Sequence, residues 1–310
     1  MTTDHDRRQF LRYTRTENWP MLARHPVAAT VHHDLLAGML AIGPEEVAAG
    51  IEALRAEAGR AAADLLADDR LRAAIEALPF RAGDRVVAVG DSITADRVGW
   101  FEMLTAAVAA AGPGGFTLQN LGLSGNTTAD VLERFDLLEA ARPTHVLLML
   151  GTNDARRHGR TPGYSMATGR ETERNLRALA DLITRELKAG VTLITPPAVD
   201  GPAAGTFFAG LPLSWDAAAV ADIAARVHRI DARAIGLHDV TWARVPGELL
   251  EPDGVHPTPA GQRLILTTVV QHLAGTAGRP AGPGCSEGTG GGGRSPPKPA
   301  VAGVVAQGAR

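Results

Sequence analysis

Between Val27 and Leu78, Leu, Ile and Ala recur at three- and four-residue spacing with charges between them, which predicts amphipathic helices. Gly43-Pro44 interrupts the pattern, and Pro44 followed by Glu45 and Glu46 reads as a helix start. The residues before Val27 are expected to be irregular; their Trp19, Met21 and Leu22 would either line a pocket wall or anchor the segment. From about Gly83 the rhythm changes. Arg85 to Val89 is a short β-branched apolar run, as suits a strand buried on both faces. Further strands are expected over 116–121, 144–150, 191–195 and, more weakly, 235–240. Helices are expected between them, over 98–111, 128–141, 170–189 and 216–229. Thr258-Pro259 supplies a cap and a first-turn proline for a last helix reaching about Leu273.

Strands alternating with helices predict an α/β fold, a parallel sheet with helices on both faces. In such sheets the chemistry lies beyond the carboxyl ends of the strands. The chain thus divides into a helical segment over 1–80, an α/β domain over 81–275 and a Gly/Pro-rich tail over 276–310. The tail has too little apolar surface to offset its ordering entropy and is expected to be disordered.

Composition narrows the function. The 310 residues are 45% hydrophobic and only 4% aromatic, which suits a sizeable aliphatic core. A net charge of -3 offers no basic field for a nucleic-acid partner. The single cysteine, Cys285, lies in the tail, so no intramolecular disulfide, zinc-thiolate cluster or thiol nucleophile is expected. Arg7-Arg8 resembles the start of a twin-arginine export signal, but Arg12, Arg15 and Glu17 occupy the place of its apolar stretch. No run approaches the ~18 apolar residues of a membrane span, and a cytoplasmic location is expected. His32-His33-Asp34, with His25 nearby, offers metal-ligating groups. Adjacent histidines on a helix diverge, however, and ordinary surface histidines are the expectation.

The loops after the strands carry the candidate chemistry. Gly90-Asp91-Ser92-Ile93 places a serine just past the first strand, where it could act as a nucleophile or merely cap a helix. Gly122-Leu123-Ser124-Gly125-Asn126-Thr127 follows the second strand, and Gly151-Thr152-Asn153-Asp154 the third. A glycine N–H or an asparagine amide there could face a developing oxyanion, and a plain turn accounts for each stretch equally well alone. Asp253-Gly254-Val255-His256-Pro257 precedes the last helix. An aspartate three residues before a histidine can fix its tautomer and stabilise its imidazolium.

Together, in this order, GDSI, the glycine of LSGNT, GTND and DGVHP resemble the four blocks of the SGNH/GDSL hydrolase superfamily over about residues 83 to 274. The resemblance implies a three-layer α/β/α, flavodoxin-like fold with a central parallel sheet. It implies that Ser92 is the nucleophile, His256 the base and Asp253 its orienter. The implied oxyanion hole comprises the Ser92 and Gly125 N–H groups and the Asn153 side chain; Asp91 and Asp154 match positions that are usually structural. The implied reaction is acyl transfer to water through an acyl-serine, on a small carboxyl ester or an O-acetyl group, with no metal or cofactor required. A thioesterase or acyltransferase on the same triad is the alternative, and a non-enzymatic binding module the remote one. The N-terminal helices lie outside the usual minimal domain of that superfamily.

Overall fold

The computed structural model describes residues 3–25, 27–159, 164–242 and 246–276. Its central sheet has four parallel strands in the order β2-β1-β3-β5. In chain order these are β1 (Arg85–Gly90), β2 (Thr117–Asn120), β3 (His145–Met149) and β5 (Gly190–Ile194). A separate antiparallel ribbon pairs β4 (Arg156–His158) with β6 (Leu213–Trp215).

Alternation along β1 explains the layering, because successive side chains of a strand point to opposite faces. Val86 and Ala88 meet Leu147, Met149, Trp100, Leu104, Ile265 and Val269 on one face. Val87 and Val89 meet Val146, Leu148, Leu176, Leu179, Ile183 and Val227 on the other. Helices Trp100–Ala111 and Pro259–Thr276 thereby cover the first face, and Gly169–Arg185 and Ala217–Ile230 the second.

The N-terminal helices share this core. Ala58, Ala62, Leu71 and Ile75, from helices Pro44–Leu65 and Asp69–Glu76, pack with Trp100 and Met103. Leu11, Leu36, Leu40, Val47 and Leu54 form an adjoining cluster that includes Val98. Leu54 is 3% exposed, so truncating it to alanine should cost about 2–5 kcal/mol.

Four sequence expectations need correction. Residues 4–13 form a helix, Asp4–Tyr13, started by a reciprocal cap in which Thr3 and Asp6 satisfy each other's N–H groups. The stretch 128–141 is two helices, Thr128–Glu133 and Phe135–Ala140, broken at Arg134. At 235–240 only Ile235 bridges to Ile194, and Leu237–Trp242 turns helical. The last helix runs to Thr276, one residue into the expected tail; the remainder of that tail, with Cys285, lies outside the described residues. Met21 is 78% exposed. No described helix is long and apolar enough to cross a membrane. Among the described residues no three potential metal ligands converge, at His32-His33-Asp34 or elsewhere.

The register positions the chemistry. Gly90 lies opposite Met149, and Met149 opposite Ile194. Three strands therefore end in one row, and the loops beginning at Asp91, Leu150 and Thr195 leave from the same edge of the sheet.

Candidate active site

Ser92 is the first residue of a four-residue helix, Ser92–Ala95. The cap of that helix is Asp91, whose Oδ1 accepts the Ile93 N–H at 3.0 Å. Because Asp91 caps, the Ser92 hydroxyl is left for other work. Asp91 is 2% exposed, and burial pushes its carboxyl up to about 6, against the opposing pull of the Ile93 N–H.

The Ser92 hydroxyl meets His256 Nε2 at 2.9 Å. His256 Nδ1 lies 2.6 Å from Asp253 Oδ2. Burial alone would raise the Asp253 carboxyl. Hydrogen bonds from the His256 ring and from the His256 and Val255 N–H groups outweigh it and hold Asp253 below the usual value. An ionised Asp253 can only accept, so Nδ1 carries the proton and donates it. Nε2 then accepts from the Ser92 O–H, which is the tautomer a base needs.

This loop is held on both sides. The Glu251 N–H donates to the His256 carbonyl at 2.7 Å, and the Thr258 N–H to the Leu249 carbonyl at 2.9 Å. Between Asp253 and Val255 the chain turns through Gly254, at φ +68°. A Cβ there would stand 2.5 Å from the Asp200 carbonyl oxygen and 2.8 Å from the Ala204 nitrogen. Only glycine fits both the left-handed backbone and the close approach.

The two other loops meet beside this array. The Leu123 N–H donates to the Gly90 carbonyl, the residue that ends β1. Gly125 sits at φ +84° with open space on the side where a Cβ would project. Asn153, 5% exposed, donates one amide hydrogen to the Asn126 carbonyl at 3.3 Å, which ties the third loop to the second. Its other amide hydrogen has no partner among the described residues. The N–H groups of Ser92 and Gly125 take no partner among the described residues. Unspent donors on adjoining loops are what an oxyanion site requires.

Asp154 faces inward. Its carboxylate accepts the Thr128 N–H at 3.0 Å and the hydroxyls of Thr128 at 2.5 Å and Thr172 at 3.2 Å. Burial raises this carboxyl, and its role is to fasten the loops to helix Gly169–Arg185.

Sequence reasoning missed a set of supporting residues. Arg12 reaches Asp96 with two bonds, at 2.8 and 2.7 Å, and Glu251 at 3.1 Å. Gln262 donates to Asp96 at 3.1 Å and accepts the Trp100 N–H at 3.0 Å. Arg134 donates to Asn126 Oδ1 at 2.6 Å and to the Leu121 carbonyl at 2.9 Å, which braces the Gly125 loop. Burial pushes the Arg134 guanidinium down to about 10. None of these residues belongs to a motif, and an arginine on a helical pattern gave no sign of an inward-facing partner.

A family model, the GDSL-like lipase/acylhydrolase family, matches residues 88–264. No curated protein matches the chain. Among solved structures, the lipase/acylhydrolase of Enterococcus faecalis is similar, at 25% identity and a TM-score of 0.52, over 62% of this chain and 96% of that one. LAE5, an alpha/beta hydrolase enzyme from the metagenome of Lake Arreo, Spain, shares 22% identity with a TM-score of 0.52, over 63% of this chain and 97% of that one. A catalytic mutant of the acetylxylan esterase Axe2 of Geobacillus stearothermophilus shares 22% identity with a TM-score of 0.50, over 63% and 96%. With more than half of its length matched by the family model, and the motif loops gathered at one sheet edge, the chain belongs to the GDSL-like lipase/acylhydrolase family and is an ester-hydrolysing enzyme.

Proposed function

We propose that this enzyme is a serine hydrolase that cleaves small carboxyl esters, O-acetyl groups included, through an acyl-serine intermediate. The observation that carries the reading is the unbroken chain from Asp253 through His256 to Ser92, with contacts of 2.6 and 2.9 Å. His256 takes the Ser92 proton as Oγ attacks the acyl carbonyl. The tetrahedral oxyanion is received by the Ser92 and Gly125 N–H groups and the free amide hydrogen of Asn153. His256 then protonates the departing alcohol, and water repeats the cycle on the acyl-serine, with His256 again as base. Asp253 keeps the imidazole in the required tautomer and offsets the charge of the imidazolium.

A panel of nitrophenyl esters of increasing acyl length, thioesters and acetylated sugars tests the substrate class. Turnover should be highest with acetyl or propionyl esters. A preference for thioesters or long acyl chains would contradict it. Ser92→Ala should lower kcat on the order of 10⁴-fold, with Ser92→Ala/His256→Ala little worse, since the groups act in one step.

A further inference from the structure

Residues 11–18 lie far from the site motifs in sequence, yet they are bonded to three of its four loops, those that carry Ser92, Gly125 and His256. Beside the serine loop, the Arg97 N–H donates to the Arg12 carbonyl at 3.0 Å, and the Arg97 side chain to the carbonyls of Leu11 and Thr14, each at 3.1 Å. Arg15 Nε donates to the Ala95 carbonyl at 2.6 Å. At the Gly125 loop, the Ser124 hydroxyl donates to the Tyr13 carbonyl at 2.6 Å, and Asn18 donates to the Gly122 carbonyl at 2.8 Å. At the histidine loop, Arg12 holds Glu251 and also approaches the Pro257 carbonyl at 3.5 Å.

This strap delivers one side chain to the reacting array. The Tyr13 ring lies 4.8 Å, centroid to centroid, from the His256 imidazole, with the planes tilted by 46°. The Arg12 guanidinium carbon lies 4.9 Å from the Tyr13 centroid. The Tyr13 hydroxyl oxygen is buried and has no hydrogen-bond partner among the described residues. The contact of Tyr13 with His256 is made by the ring surface.

We infer that residues 11–18 complete the active site and that Tyr13 is a positioning residue for His256, an inference that rests on the serine-hydrolase reading above. The physical reason is the motion His256 must make. Two hydrogen bonds fix the imidazole along its Nδ1 to Nε2 line, but they resist tilting about that line weakly. During turnover the Nε2 proton is passed from Ser92 to the leaving oxygen, so the ring must keep its plane while one of its two bonds is exchanged. An aromatic wall in van der Waals contact limits that tilt and keeps water from one side of the ring. The same ring offers its π-surface to the imidazolium formed in transit. The charged groups around the pair are Asp253, Glu251, Asp96 and Asp91, with Arg12 the opposing cation. In this arrangement the N-terminal segment is part of the catalytic apparatus of this chain.

The test uses the full chain with Tyr13→Phe, Tyr13→Leu and Tyr13→Ala. Each is measured for kcat and KM per titrated active site with a nitrophenyl acetate, and for the rate at which a small fluorophosphonate labels Ser92. Tyr13→Phe should stay within about twofold of wild type, because it keeps the ring against His256 and the lost hydroxyl has no partner among the described residues. Tyr13→Ala should lower kcat by about 10- to 100-fold, the scale of a misplaced catalytic group, with KM nearly unchanged and labelling slowed in parallel. If Tyr13→Ala does not fold, Tyr13→Leu, which keeps much of the volume, decides, with an expected loss of about tenfold in kcat. A normal kcat in folded Tyr13→Ala or Tyr13→Leu overturns the inference, as does a Tyr13→Phe as impaired as Tyr13→Ala. A wild-type chain that fluorophosphonate does not label at Ser92 overturns the serine-hydrolase reading itself, which distinguishes the two failures.

Discussion

Arg12→Met removes the guanidinium that joins the N-terminal helix to the loops of the site, while keeping an unbranched apolar side chain in its place. The Arg12 side chain is 3% exposed and that of Asp96 0%. The substitution deletes two bonds to Asp96 and one to Glu251, at 2.8, 2.7 and 3.1 Å. Asp96 is left in the interior with the Val98 N–H at 3.0 Å and the Gln262 amide at 3.1 Å. Glu251 is 25% exposed and recovers water, so its loss is small. The cost is dominated by the uncompensated Asp96 charge, and removing one member of a buried pair costs about 3–5 kcal/mol. Asp96→Asn in the same chain removes that charge, and its amide oxygen can still accept the Val98 N–H. The double variant should therefore be less destabilised than the sum of the single ones, with a coupling of about 2 kcal/mol. Urea unfolding of the full chain, followed by tryptophan fluorescence with the slope checked for constancy, measures all three variants. A loss below about 1 kcal/mol for Arg12→Met, or strict additivity with Asp96→Asn, would refute the reasoning.

Asn153→Ala should lower kcat by roughly 10²–10³-fold with little change in KM, as expected for one oxyanion donor; a normal kcat with a raised KM would assign Asn153 to ground-state binding. Asp91 makes a pH-dependent prediction. Its carboxyl is raised from 3.8 to about 6 in the folded chain, so the folded state holds the proton more tightly than the unfolded one. The stability this group contributes is full below pH 4 and is lost as the pH rises through 6, by up to about 3 kcal/mol at about 1.4 kcal/mol per pH unit. Asp91→Asn keeps an acceptor for the Ile93 N–H and removes that loss, so its stability relative to wild type should improve between pH 4 and pH 8 in urea unfolding. A difference independent of pH would contradict the assignment. Asp253, held low, has the opposite sign: its contribution is present above the ordinary carboxyl value and disappears as the pH falls through its lowered value.

What the sequence made legible was local. The apolar runs in β1 and β3 announce strands buried on both faces, and the residues just past them supply Ser92 and Asn153. The Asp253 to His256 contact spans three residues, so its spacing could be read directly. The strap could not be read that way. Arg12 meets Asp96 across 84 positions and Glu251 across 239, and no periodicity records a contact between side chains so far apart. Helix Asp4–Tyr13 is highly charged, and it is secured by Leu11 in a distant cluster; the pairing of Thr3 with Asp6 was its one local sign. At Ile235 an apolar run suggested a strand, but one bridge to Ile194 closes the edge and a helix begins at Leu237. Short apolar runs carry both readings, and the sheet edge decides between them.

The central claim is that Ser92 carries the acyl group and that His256 draws off its proton. Its most direct test is intact-protein and peptide mass spectrometry of the chain quenched during turnover of a nitrophenyl acetate. The account predicts one added acetyl group on the peptide containing Ser92, formed within the burst of released nitrophenol and absent in Ser92→Ala and His256→Ala. Turnover with no adduct on that peptide, or an adduct that persists in Ser92→Ala, would contradict it.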